Sequence, residues 1–151
     1  KRDGVPYDLI SKSLPTIEGA VNDILAQIVD FNIVFNMDGK QIDTHIVYDD
    51  DRVWPLELSS GMERFVSSLA IRVGLMNVSN LPRSNFLAID EGWGTMDSEN
   101  LNSVAQLFQY LKTQFQFSFV VSHIETMRDF VDTLLEIKKV SGSSSVRFSR
   151  D

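Results

Sequence analysis

The chain has 151 residues, a formal net charge of −7 and no cysteine, which is enough for one domain with a real core and too little for two. The lack of cysteine excludes disulfides, thiolate metal sites and thiol nucleophiles, and the acidic balance argues against a stand-alone nucleic-acid binder, since phosphate contacts need a surplus of Lys and Arg. No run of about eighteen apolar residues occurs, so no membrane partner is expected. Lys1-Arg2-Asp3-Gly4 opens on charge with no apolar stretch behind it, unlike a secretory signal, and a start on Lys rather than Met is what a fragment would show.

In chain order, residues 1 to 13 are polar and read as a leading segment, with residues 14 to 151 as the folded lobe. From Leu14 the apolar positions Ile17, Val21, Ile24, Leu25 and Ile28 recur at helical spacing, and Ser13 is placed to be the N-cap. The period then changes to two. Phe31, Ile33 and Phe35, then Ile42, Thr44, Ile46 and Tyr48, alternate along two runs separated by Asp38-Gly39, which predicts a β-hairpin. Asp49-Asp50-Asp51 reads as an exposed acidic turn. Ser60 to Asn77 is again helical, with Phe65, Leu69, Val73 and Met76 on one face, and Asn80 to Ser84 is a loop. Phe86 to Ile89 is a continuous apolar run, the mark of a strand buried on both faces of a parallel sheet. Leu101, Val104, Ala105, Phe108 and Leu111 predict another helix, and Phe117 to Val121 another buried strand. A short helix after His123, a strand over Thr133 to Ile137, a Ser/Gly turn and a last strand over Val146 to Ser149 complete the chain. Strands alternating with helices at this spacing predict an α/β fold on a largely parallel sheet, with the antiparallel hairpin near the N-terminus.

Four segments carry chemistry. Phe86-Leu87-Ala88-Ile89-Asp90-Glu91 puts two carboxylates at the end of a strand, where α/β sheets bind ligands. One acid suits a hydrated Mg²⁺ and the next suits a base for water attacking a γ-phosphate. Leu58-Ser59-Ser60-Gly61-Met62-Glu63-Arg64 leads straight into a helix, where free backbone N–H groups and a hydroxyl make an anion site. The bland reading of Ser60 and Glu63 is a capping box. Gly92-Trp93-Gly94-Thr95-Met96-Asp97 turns tightly beside the acids, and Asp97 alone reads as an N-cap for the next helix. Phe119-Val120-Val121-Ser122-His123 ends a second strand in a histidine able to bond a phosphate.

Each segment is weak alone, but their order resembles the C-terminal half of an ABC-type ATPase head, and within it the SMC/SbcC group. Asp90-Glu91-Gly92-Trp93-Gly94-Thr95-Met96-Asp97 is similar to the Asp-Glu-Gly-Phe-Gly-Thr-Leu-Asp stretch of SbcC-type DNA repair ATPases, and Ser122-His123-Ile124-Glu125 to their Ser-His-Val-Glu. Phage-encoded repair ATPases belong to the same broad group. The resemblance implies ATP and Mg²⁺ as cofactors, with Asp90 holding the metal, Glu91 as general base, His123 sensing the γ-phosphate and Asp97 bridging two heads. Ser60 and Gly61 would contact the γ-phosphate bound to the opposite head, and Glu63 stands where the group has its signature acid. Aligning Leu58-Ser59 with the group's Leu-Ser instead makes Ser59 the signature serine. In the preferred register Met62 replaces the second signature glycine; in either, one glycine is lost.

A phosphate loop reads Gly-x-x-x-x-Gly-Lys followed by Ser or Thr. The single Gly-Lys here is Gly39-Lys40, with Val34 where the first glycine belongs and Gln41 after it, so the chain lacks a Walker A segment. The resemblance places that segment in an N-terminal lobe beyond a long coiled coil, with residues 1 to 13 near the end of that coil or a linker. It implies partners: that N-terminal lobe, a second head joined on ATP, a nuclease subunit, and DNA in the full complex. The expected role is ATP hydrolysis in double-strand-break repair or recombination, only when the two lobes combine, in the cytoplasm or at the nucleoid. The rival readings are a structural DNA-tethering element with little turnover and, more distantly, a transporter's nucleotide-binding domain.

Overall fold

The computed structural model describes residues 4–39, 41–90 and 101–150, without the side chains of 4–7, 101 and 150. The chain divides into two compact units, one through Val120 and one from Val121 onward. Among the described residues no helix is long and apolar enough to cross a membrane.

The first unit opens with α1 (Gly4–Leu25), which begins ten residues before the Leu14 expected from periodicity. Ser13 is not its cap: the Ser13 hydroxyl donates back to the Leu9 carbonyl at 2.9 Å, as an interior helical serine does. The early turns escape the pattern because Leu9 and Ile10 are exposed, so no apolar face marks them. The buried stripe begins at Val21 and continues through Ile24, Leu25 and Ile28.

Strands β1 (Asn32–Asp38) and β2 (Gln41–Asp49) form the expected antiparallel hairpin, closing on the Asp38–Gln41 pair with Gly39 at φ +58°. That left-handed φ is what the Asp-Gly signal requires. A third strand, β3 (Arg52–Pro55), not foreseen in the sequence, pairs antiparallel with β2. The sheet order is β1-β2-β3, which leaves β1 as an edge. Helix α1 satisfies that edge with side chains one turn apart. Asn22 Nδ2 donates to the Ile33 carbonyl at 2.9 Å and its Oδ1 accepts the Ile33 N–H at 2.8 Å, while Glu18 Oε2 accepts the Phe35 N–H at 2.8 Å. Unpaired edge groups are thereby closed against further strand addition.

A short 3-10 turn (Leu56–Leu58) leads into α2 (Gly61–Val78), whose buried side is Met62, Val66, Leu69, Ala70 and Val73. Phe65 and Met76, expected in the core, are half-buried, so the apolar face is turned toward Val66. Helices α1 and α2 come close at Gly74, where a Cβ would lie 2.9 Å from Val21 Cγ2 and 3.3 Å from the Val21 nitrogen. After a loop come β4 (Phe86–Asp90), α3 (Leu101–Gln114) and β5 (Phe117–Val121), with β4 beside β5. The N–H groups of Gln116 and Phe117 both donate to the Asn85 carbonyl, at 3.0 and 3.2 Å, so the two strands start at the same end as parallel strands do. The strands are not buried on both faces as expected. Leu87 and Ile89 are buried, while Phe86, Phe117 and Phe119 stand exposed, with Phe86 and Phe117 stacked at 5.5 Å.

The second unit contains a 3-10 turn (Glu125–Phe130) and the antiparallel hairpin β6 (Thr133–Val140) and β7 (Ser143–Arg150), longer than the expected strands. Its turn is only Ser141-Gly142, at φ 50° and 84°, the positive pair a two-residue hairpin loop needs.

Candidate functional site

The N-terminus of α2 has a fully specified geometry. Ser60 is the N-cap: its hydroxyl accepts the Glu63 N–H at 3.2 Å, and Glu63 Oε2 accepts the Ser60 N–H at 2.7 Å. This reciprocal capping box satisfies two donors that a helix start leaves open. Ser60 is exposed and Gly61, the first residue of α2, is half-exposed. Ser59 faces the other way. It is buried, its hydroxyl accepting Trp54 Nε1 at 3.1 Å and lying 3.5 Å from the Pro55 carbonyl. Of the two serines that the sequence leaves open for the signature, only Ser60 presents its side chain to solvent.

Met62, which stands where the signature group has a glycine, is 5% exposed. Its bulk goes into the core, away from the surface on which Ser60 lies. Arg64 is held over the preceding turn by a bond from Nη1 to the Glu57 carbonyl at 3.1 Å.

Behind the capping box stands an aromatic column from the antiparallel sheet that sequence reasoning did not assign to the site. Tyr48 lies 5.4 Å from both the Phe31 and the Trp54 rings, and the Arg52 guanidinium sits 5.1 Å from its centroid. The Tyr48 hydroxyl donates to Glu63 Oε1 at 2.8 Å. Burial, then the bond to Glu63 and that carboxylate's charge, push the Tyr48 phenol from 10.0 up to about 12, so it remains a donor at any ordinary pH. Burial is the largest single influence on Glu63 and acts upward. The Ser60 N–H, the Ser60 hydroxyl and the Tyr48 hydroxyl together outweigh it and hold the carboxyl below its ordinary 4.5. The pair lines a cleft of about 220 Å³ that also includes Asp30, Met62 and Gln106.

The remaining site residues are less fully placed. Asp90 is the exposed last residue of β4. Glu91 and Asp97, with the glycines between them, lie outside the described residues. His123 is exposed in the second unit, two residues beyond β5, where the Ser122 hydroxyl accepts the Ile124 N–H at 3.1 Å. No cluster of three or more His, Asp or Glu able to hold a metal occurs among the described residues. An exposed carboxylate at a strand end is nonetheless the kind of donor Mg²⁺ takes, since that ion uses one or two carboxylates plus phosphate oxygens and water.

Two solved structures share the fold over nearly the whole chain. One, from work on ATP-driven dimerization and DNA-stimulated activation of SMC ATPases, superposes with a TM-score of 0.73 at 16% identity, covering 94% of this chain and 88% of the other. The Pyrococcus furiosus Smc head with an extended coiled coil, bound to the C-terminal domain of ScpA, gives 0.67 at 17% identity, covering 95% and 37%. The chain has the fold of the C-terminal lobe of an SMC/SbcC-type head.

Sequence likeness points the same way. The chain is 36% identical over 160 residues to an uncharacterized protein, R555, of Acanthamoeba polyphaga mimivirus, an alignment covering 95% of the chain and 12% of that protein. It is 32% identical over 96 residues to the SbcC component of the nuclease SbcCD of Staphylococcus aureus, covering 61% of the chain and 10% of that component. No protein-family profile matches. The chain thus spans about a tenth of the length of these relatives.

Proposed function

We propose that this chain supplies half of an ATPase active site in an SMC/SbcC-like DNA repair or recombination protein. The observation that carries the reading is the exposed Ser60-Gly61 start of α2, capped and aimed outward, on a fold shared with SMC heads. A helix start with an exposed hydroxyl is suited to a phosphate, by its N–H groups and by its dipole. In this reading Ser60 and Gly61 meet the γ-phosphate of ATP carried by a second head, so two heads associate on ATP. Asp90 holds Mg²⁺, which neutralises charge on the phosphates. Glu91 takes the proton from the attacking water, His123 bonds the γ-phosphate, and Asp97 reaches across the head interface.

The phosphate loop comes from an N-terminal lobe of the same protein. Support for that partner is the open face of β4 and β5: Phe86, Phe117 and Phe119 are 47%, 58% and 43% exposed, the kind of contiguous apolar surface that marks an interaction site. A coiled coil joins the lobes, a nuclease partner and DNA complete the assembly, and the protein works in the cytoplasm or at the nucleoid. The likeness to SbcC of the SbcCD nuclease supports the nuclease partner.

The test uses the complete protein. Glu91→Gln is expected to trap an ATP-bound two-headed species with turnover lowered at least 100-fold, and Ser60→Ala to prevent ATP-driven association. Unchanged turnover in Glu91→Gln removes the assigned base. Association on ATP with negligible turnover in the parent protein favours the tethering element instead.

A further inference from the structure

The capping box brings a negative charge to the place where a phosphate is expected to arrive. Glu63 lies one helical turn from Ser60, at the positive end of α2, and its carboxylate already takes the Ser60 N–H. A loose carboxylate there would compete with a phosphate for the helix-start donors and repel it at close range. In this structure it is not loose. Oε2 is fixed by the Ser60 N–H at 2.7 Å and Oε1 by the Tyr48 hydroxyl at 2.8 Å, from a separate element.

The position of Tyr48 comes from an irregularity in the sheet. Val47 pairs with Val53 and Asp49 with Arg52, so Tyr48 is the extra residue of a β-bulge. Bulges re-aim side chains and are common beside functional sites. The turn that follows is itself fixed. Asp49 Oδ1 accepts the Asp51 and Arg52 N–H groups, at 3.2 and 3.0 Å, and Arg52 Nε donates to Asp49 Oδ2 at 2.7 Å. Arg52 then lies over the Tyr48 ring, with Phe31 and Trp54 on the column beside it. The second polar tip of that column, Trp54 Nε1, holds Ser59. Consecutive residues of the α2 approach are thus held from the same sheet, Ser59 directly and Ser60 through Glu63.

We infer that Tyr48 is a positioning residue for nucleotide-driven head association: its hydroxyl keeps the Glu63 carboxylate on the Ser60 N–H, so that the O–H of Ser60, whose oxygen accepts the Glu63 N–H, and the Gly61 and Met62 N–H groups are left to donate to the incoming phosphate. The inference rests on the role proposed for Ser60. It separates two properties of Tyr48, since the ring packs in the column while the hydroxyl acts only through Glu63.

The experiment compares the complete protein with Tyr48→Phe, Ser60→Ala and the double variant Tyr48→Phe with Glu63→Gln. Association is titrated with the non-hydrolysable analogue AMP-PNP and followed by light scattering. Binding of a fluorescent ATP analogue to single heads is measured at protein concentrations below association, and thermal unfolding checks each fold. Tyr48→Phe is expected to need roughly 2- to 10-fold more AMP-PNP for half-association, the effect of one hydrogen bond, with single-head binding unchanged. Adding Glu63→Gln is expected to restore association, because an amide released from Tyr48 carries no charge to repel a phosphate.

Failure of Glu63→Gln to restore association overturns the inference and leaves Tyr48 a packing residue. Tyr48→Phe behaving as the parent, while Ser60→Ala is impaired, also overturns it but keeps the proposed function. If Ser60→Ala associates normally, both fall.

Discussion

The two sheets of the first unit are finished to different degrees. The β1-β2-β3 sheet is closed: α1 side chains satisfy the β1 edge, Ile33 and Ile46 are fully buried, and its aromatic column is bonded to the start of α2. The β4-β5 sheet is closed on one face only, with Leu87 and Ile89 inside and three phenylalanines outside. A face of that composition is stable in water only at a cost of about 25 cal/mol per Å² of apolar surface left wet. The first sheet builds the site's frame from this chain's own residues, whereas the second leaves an apolar face exposed.

The sharpest way to break this comparison is to truncate one residue from each sheet. Ile46→Ala is expected to lower the unfolding free energy of the 151-residue chain by about 2–5 kcal/mol, because a buried isoleucine loses both transfer energy and packing. Phe117→Ala, at 58% exposure, is expected to cost under about 1 kcal/mol in the same chain, and far more in the proposed assembly with an N-terminal lobe. Urea unfolding of both variants checks the contrast. Equal costs in the isolated chain would mean that the phenylalanine face is not open.

A smaller effect is expected at the contact between α1 and α2. Gly74→Ala places a Cβ 2.9 Å from Val21 Cγ2, with backbone atoms of Val21 at 3.3 and 3.4 Å. A methyl in a packed interior with so little room costs about 1–3 kcal/mol, although alanine is the better helix former by about 1 kcal/mol. Pairing it with Val21→Ala is expected to recover part of the loss, giving a coupling that only neighbouring residues show. Additive costs in a denaturation cycle would place the two helices further apart.

Much of this was legible in the residues. Asp38-Gly39 between alternating runs located the first hairpin, Ser60 with Glu63 gave the capping box, and the order of the four motifs led to the head fold that the solved structures share. What escaped has physical causes. Residues 8 to 13 of α1 are exposed or half-buried, so hydrophobic periodicity carries no signal there. β3 is four residues long and follows a β-bulge, and a bulge breaks the alternation by which strands are read. The same bulge concealed Tyr48, because its role depends on a register shift that no spacing rule contains. Phe86 to Ile89 and Phe117 to Val121 read as strands buried twice over, and their composition suits the proposed two-lobe head better than this chain alone.

The smallest effect expected separates the carboxylates of the closed site from those on the open surface. Glu63, Asp49 and Glu136 are all held below their ordinary values, Glu63 by hydrogen bonds that outweigh its burial, and the other two chiefly by side-chain bonds from Arg52 and Arg128. For a depressed carboxyl the stabilisation is fully present above the unfolded value, near 4.5 for glutamate, and is lost as pH falls through the folded value. Stability should therefore decline below about pH 4.5. Salt at about 1 M shortens the screening length to about 3 Å and suppresses the contributions of the exposed Arg52 and Arg128 pairs. It leaves the Ser60 and Tyr48 bonds to Glu63 in place. Under that salt, Glu63→Gln is expected to flatten the remaining slope of unfolding free energy between about pH 4.5 and 3. An unchanged slope in Glu63→Gln would show that the carboxylate is solvated rather than gripped, and would remove the electrostatic distinction between the site and the surface around it.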